Sequence, residues 1–214
     1  MLVLVSCREV AADVELAGNT FYFKNPQPIN DSELKSFPNK FVGSYMDEDS
    51  IYLNFQKDII CTEYIWKNEI PNTDLDSLKV AFDFTDDKIV SKDGSFKFLY
   101  RQLKDSIEIF DQRIDTIFRF SNTRKAKRIN GNLVISKKDS LYWTVKLYSF
   151  EKDKLTIKQL YSDSDLKKMD SITNVKAKMI DSSTFIIAPS RSEFKQFFKL
   201  KDFGYNTYYK KVKK

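Results

Sequence analysis

The sequence predicts a mainly β chain: an antiparallel barrel or sandwich of about 10–13 strands with a short C-terminal helix. Three observations carry that expectation. Apolar and polar side chains alternate with period two in one segment after another, the pattern of strands with one buried and one wet face. These segments are short and recur at roughly 8–15-residue spacing, as in a meander. Aromatic residues make up 14% of the chain against a modest 42% of apolar residues overall, so rings supply much of the buried area.

In chain order, Phe21–Lys24 reads as a first short strand, and Asn25-Pro26-Gln27-Pro28 as an extended or turning segment leading into a helical turn over Asp31–Phe37. Phe41–Met46 and Ile51–Gln56 are the next strands, followed by the strand-like run Ile59–Trp66. Leu78, Val80, Phe82 and Phe84 alternate with Lys79, Ala81, Asp83 and Thr85, a further strand. Phe96–Tyr100, Ile107–Ile109, Phe118–Phe120 and Leu133–Ser136 follow. Leu141, Trp143, Val145 and Leu147 alternate with Tyr142, Thr144, Lys146 and Tyr148, which places Trp143 on an inward face. Leu155–Ile157 and Phe185–Ala188 are strands. Helices are expected over Asp163–Asp170, with Leu166 and Met169 inward, and over Ser190–Leu200. There Ser190 and Glu193 form a capping box, and Phe194, Phe197 and Phe198 share one face. Tyr205 to about Tyr209 closes the fold as a paired strand, with a solvated basic tail from Lys210.

Asp-Ser-(Ile/Leu) occurs five times, at Asp49, Asp76, Asp105, Asp139 and Asp170, and reads as turn punctuation ahead of strands. Asp49-Ser50-Ile51-Tyr52 and Asp139-Ser140-Leu141-Tyr142 match best, which would suit two similar halves.

The composition excludes several chemistries. With no histidine, no Ser-His-Asp, Cys-His or HExxH site can be built, and the commonest metal ligand is missing. Two cysteines cannot make a four-cysteine zinc site or a disulfide framework. Neither phosphate-loop glycine pattern occurs. No metal or cofactor is therefore expected, and an enzyme is the less favoured reading.

Leu4-Val5-Ser6-Cys7 resembles a bacterial lipobox: an aliphatic residue three before the cysteine and a small one just before it. The resemblance implies cleavage before Cys7, a diacylglycerol on its sulfur, and a partner that is a membrane, held through acyl chains. The apolar run ahead of Cys7 is shorter than a signal peptide requires, so the true signal is expected to extend upstream of Met1. The chain then divides into 1–7, signal remnant and anchor; 8–20, a polar tether; and 21–214, a single β-rich domain. The localisation implied is the bacterial envelope, for a binding or structural module.

Other residues suggest sites. Tyr52, Trp66 and Tyr142 are candidate wall aromatics for a small apolar or carbohydrate ligand. Gly43-Ser44-Tyr45 at the first substantial strand is similar to the Gly-x-Trp of lipocalins, which would imply a ligand-binding barrel. Glu63 lies in an apolar run and is a candidate carboxyl for a hydrolase, which needs a second one across a cleft. Cys61 reads as a buried free thiol. The basic run Arg124-Lys125-Ala126-Lys127-Arg128 reads as a turn that could touch an anionic surface. Nucleic acid is disfavoured, since no recognised nucleic-acid-binding pattern accompanies these charges.

Overall fold

A computed structural model describes residues 18–197, 199–200 and 203–212 of the chain. Cys7 and the tether to residue 17 lie outside the described residues, as does Phe198. The fold is mainly β. Its elements are β1 Thr20–Phe23, β2 Gly43–Met46, β3 Tyr52–Phe55, β4 Ile59–Pro71, α1 Leu75–Ala81, β5 Phe82–Phe84, β6 Lys88–Ser91, β7 Lys97–Gln102, β8 Ser106–Arg119, β9 Arg124–Ile129, β10 Asn132–Asp139, β11 Tyr142–Glu151, β12 Lys154–Gln159, α2 Asp163–Ile172, β13 Lys178–Met179, β14 Thr184–Ile187, α3 Arg191–Phe197 and β15 Tyr205–Lys211. The fifteen strands form one continuous network, which exceeds the expected 10–13, and three helices accompany them. All pairings are antiparallel except β1 with β14.

Nine strands in the order β9-β10-β11-β12-β15-β2-β3-β4-β8 curl around one set of side chains. Each strand's inward positions reach that core: Tyr45 from β2, Leu53 and Phe55 from β3, Ile60 from β4, Phe118 from β8, Leu133 from β10 and Leu155 from β12 are all at most 2% exposed. The sheet is not closed. Its two edges, β8 and β9, are joined only by a tight connection with a single bridge between Ser121 and Arg124. The segment before β2 spans this region, its Leu34 amide donating to the Ala126 carbonyl and its Phe37 amide to that of Lys57, while the Phe37 ring packs on Phe118 and Phe120. Tyr45 drops its hydroxyl onto the Phe41 carbonyl, 2.8 Å away, so its polar end is satisfied inside.

A second core lies on the outer face of β10 and β11. Trp143, Val145 and Leu147 pack there against Phe21 and Phe23 of β1, Phe185 and Ile187 of β14, Met169 of α2, and Phe194 and Phe197 of α3. α2 opens on a capping box between Ser162 and Asp165, α3 on Ser190 and Glu193. Both helices lie where the periodicity expects them, and Trp143 is 7% exposed, facing a core as its alternation requires.

The third core belongs to a lobe. β4 and β8 run together for their whole length, and their outer halves carry β7, β6, β5 and α1. The lobe's buried apolar cluster is Ile89, Ile107 and Ile109, packed against half-buried Ile70, Leu75, Phe82, Phe84, Phe98 and Tyr100.

Several expectations are corrected. Leu78 and Val80 belong to the helix α1, not a strand, and Val80 is 75% exposed. The segment 31–37 is bent but not helical, and the short 3-10 turn falls instead at Asn39–Phe41. Residues 107–120 hold one long strand, not two. Leu141 lies in the β10–β11 turn and is exposed. The Asp-Ser punctuation lands on different structures: turns with Ser50 and Ser140 in the left-handed region, the start of β8 at Ser106, and helices at Ser77 and Ser171. No division into two similar halves follows from it. β15 continues past Tyr209, with Lys210 paired to both Lys154 and Met46, and Lys211 to Tyr45. The Lys211 ammonium rests over the Phe150 ring, 5.0 Å from its centre, so this lysine is part of the fold.

Candidate functional site

The proposed wall aromatics occupy three different places. Tyr52 stands on the outer face of β3, half-buried, opposite Glu63. Trp66 is 37% exposed on the outer half of β4, its ring 5.8 Å from Phe98. Tyr142 begins β11 and leans on Tyr22, 6.1 Å away, whose hydroxyl donates to Asp139. The interior of the open barrel is filled by Phe37, Phe41, Tyr45, Phe55, Phe118 and Tyr148. Tyr45, in the position compared with the lipocalin Trp, is one of these packed rings; burial pushes its phenol up to about 12.

Glu63 is half-buried on the outer face and accepts hydrogen bonds from Asn54 (2.8 Å) and Gln112 (2.5 Å). A bulge in β8 interrupts the ladder nearby: across Ile60–Cys61 the partners step from Phe118 to Thr116, skipping Ile117. Cys61 is free and buried, its sulfur 3.8 Å from the Thr116 hydroxyl. Among the described residues no group of His, Cys, Asp and Glu could hold a metal ion.

The basic run at 124–128 is the strand β9 rather than a turn, so alternation divides it. Lys127 is 6% exposed, and its ammonium donates to the Pro28 carbonyl at 2.8 Å. Burial lowers its pKa, offset in part by Glu33 and Asp31. Lys125 is tied to Glu33 at 2.5 Å. Arg128 is exposed and Arg124 half-buried. Lys127 is thus withdrawn from any contact with an anionic surface.

A different basic surface is assembled by β11, β12 and β15. On β12, Leu155 points into the barrel, which leaves Lys154, Thr156 and Lys158 outward. The register sets Lys154 against Lys210 and Glu151, Thr156 against Tyr208 and Ser149, and Lys158 against Asn206. Of these, Ser149, Glu151, Lys154, Thr156, Lys158 and Asn206 line, with Lys152 of the β11–β12 turn, a shallow open groove of about 460 Å³. The Lys154 ammonium sits 3.7 Å from the centre of the Tyr208 ring, and that ring is 48% exposed. Lys152, Lys154 and Lys210 form no ion pair among the described residues.

One buried carboxylate fixes this surface. Asp165, 3% exposed, accepts from the amides of Tyr161 and Ser162 at 3.0 Å and of Gly204 at 2.7 Å. It thereby binds the end of β12, the start of α2 and the start of β15 together. Gly204 has φ 77°, and a Cβ there would press on the Gln159 carbonyl, so the close approach needs glycine. The individual lysines were visible in the sequence, but their adjacency depends on a pairing between strands about fifty residues apart, and only Ser162-x-x-Asp165 hinted at the carboxylate.

A second exposed feature is apolar. Where β4 and β8 pair only with each other, Tyr64 is 41% exposed beside Trp66 on one face, and Ile114 is 61% exposed on the other, with Glu63. Comparison with known proteins adds no relative: no family model, no curated protein and no solved structure matches the chain.

Proposed function

We propose that the chain is a lipid-anchored protein of a bacterial envelope whose folded part is a binding or structural module. The filled interior of the open barrel carries the second half of this reading. Six aromatic rings occupy the space that a small-ligand carrier would keep open, so recognition falls to the outer surfaces. The anchor rests on Leu4-Val5-Ser6-Cys7 and the polar stretch that follows. No helix among the described residues is long and apolar enough to cross a membrane, so a lipid would supply the attachment.

The test is labelling. Expressed with its native upstream region, the protein should incorporate radioactive palmitate, and Cys7→Ala should abolish the label. Label that survives this substitution refutes the anchor. A fluorescent apolar probe should gain little emission on the native protein; strong saturable binding would favour a lipocalin-like chamber instead.

A further inference from the structure

We infer that the outer face of β12 and β15, with the β11–β12 turn, is the surface that lies against an anionic lipid bilayer. The inference deepens the lipid-anchor reading and rests on it for its orientation. Three independent observations meet on this face.

The first is charge. Among the described residues Lys152, Lys154 and Lys210 are exposed and form no ion pair; Lys158 and the outward hydroxyls of Ser149 and Thr156 lie beside them, with Glu151, opposite Lys154, the one carboxylate lining the groove. Each lysine near an anionic surface strengthens attachment roughly fivefold.

The second is a violation of a local rule. Lys154 and Lys210 are direct cross-strand partners. Like charges directly opposite in a ladder are destabilising, and departures from local consistency concentrate where function requires them. A negative surface facing both ammonium groups would remove the repulsion. Tyr208, beside them, has the apolar body and polar tip of side chains that settle at a membrane interface.

The third is the route of the chain toward Cys7. The first described residues run along the end of the same ladder: the Asn19 amide donates to the Tyr161 carbonyl at 2.8 Å, and Gly18 lies against the Tyr161 ring, where a Cβ would collide. Tyr161 in turn leans on Tyr205, 5.5 Å away, the residue next to Asn206 of the lysine face. Ten residues lie between Cys7 and Gly18, which limits the anchor to within about 40 Å of this point. Gly18 and Tyr161 lie at the end of the ladder where Gln159 pairs with Tyr205, about 17 Å along β12 from the Lys154–Lys210 pair, so a lipid on Cys7 and these lysines would meet the bilayer at the two ends of one face. One acyl-type anchor gains most from a basic patch as its second contact.

Sedimentation with vesicles of phosphatidylcholine, with and without phosphatidylglycerol, tests the inference on the full chain carrying Cys7→Ala. Binding should require phosphatidylglycerol and should weaken as salt rises from about 0.1 M to 1 M, where the Debye length falls from ~10 Å to ~3 Å. Replacing Lys152, Lys154 and Lys210 together by Gln should lower the affinity on the order of a hundredfold. The same charge removed from the lobe, with Lys92, Lys97 and Lys104 replaced by Gln, should leave it nearly unchanged. The far-ultraviolet spectrum and melting temperature of each variant confirm the fold.

Equal binding to both vesicle types, or equal losses in the two triple variants, would overturn the inference. So would binding to soluble polyphosphate without binding to vesicles, which would make the ligand a free polyanion. The palmitate experiment separates the two readings. Anionic binding without palmitate label removes the anchor and leaves this face standing, whereas label without anionic binding removes the face alone.

Discussion

The open barrel and the lobe are built from the same ladder, since β4 and β8 run through both, yet they are held by very different means. The barrel core has twelve buried residues, six of them Phe or Tyr, from all around the curl. The lobe has three buried isoleucines, and its aromatic residues, Phe82, Phe84, Phe98 and Tyr100, are only half covered. Each fully buried ring removes about 150–250 Å² from water. Strand pairing is therefore continuous from one region to the other while apolar burial is not. Stability in a structure follows burial more closely than it follows hydrogen-bonded continuity, so the lobe should open on its own.

The largest effect is expected in the barrel. Phe55 touches the rings of Phe37, Phe41, Tyr45 and Tyr148 and is 2% exposed. Phe55→Ala should cost about 3–5 kcal/mol in denaturant unfolding, with all spectroscopic probes shifting together. A loss under about 1 kcal/mol, the range of surface substitutions, would mean that the barrel core is no tighter than the lobe.

Tyr45 gives the barrel an alkaline titration. Its phenol stays neutral in the fold up to about 12, because ionising it would place a charge in the filled interior. Below pH 10 the group is protonated in both folded and unfolded chains. Between about 10 and 12 the unfolded chain releases a proton that the folded one keeps, so stability must fall as pH rises through this window. The loss should be about 2–3 kcal/mol, and Tyr45→Phe should remove its pH dependence. An unchanged slope in that variant would place the titration elsewhere.

Ile107→Ala tests the other side. Ile107 is 1% exposed, but the wall around it is half open and can relax, so the cost should lie near the low end for such truncations, about 2 kcal/mol. Its signature is local. Amide exchange should accelerate through β5–β8 while β9–β12 keep their protection. A uniform loss of protection would show one cooperative unit and break the comparison.

The same contrast explains which parts of the fold the sequence discloses. Where one face is buried and the other wet, alternation locates the strand: Trp143, Val145 and Leu147 on β11, and Leu155 on β12, face the cores as their spacing requires. In the lobe the signal degrades. Leu75 and Leu78 are three apart, one helical face, and Val80, two beyond Leu78, only mimics a period of two. The middle of β8, from Gln112 to Thr116, is wet on both sides and carries no periodic pattern, which makes one strand look like two. β9 hides for another reason. Its charges occupy both faces because Lys127 is roofed by the Pro26–Pro28 segment, a long-range contact that no local pattern encodes. The lysine face is likewise a product of register: β15 meets β12 on one side and β2 on the other, and neither pairing can be read from spacing.

The smallest expected effect lies on the outside of the barrel, where burial plays no part and charge alone decides. Lys154 and Lys210 face each other across β12 and β15, and Lys154 has Glu151 on its other side. Lys210→Glu replaces a like-charge pair by an opposite-charge one, and cross-strand pairs of this kind are worth about 0.2–1 kcal/mol. The variant should therefore be slightly more stable than the parent, and the gain should shrink at high salt because both groups are exposed. Lys210→Met, which removes the repulsion without adding an attraction, should fall between the two. If the stabilised Lys210→Glu protein also binds anionic vesicles less tightly, stability and attachment are opposed at this one ladder position. A variant that loses stability instead would show that Lys210 is already satisfied in the free protein, and that the barrel's outer wall obeys the same local rules as its core.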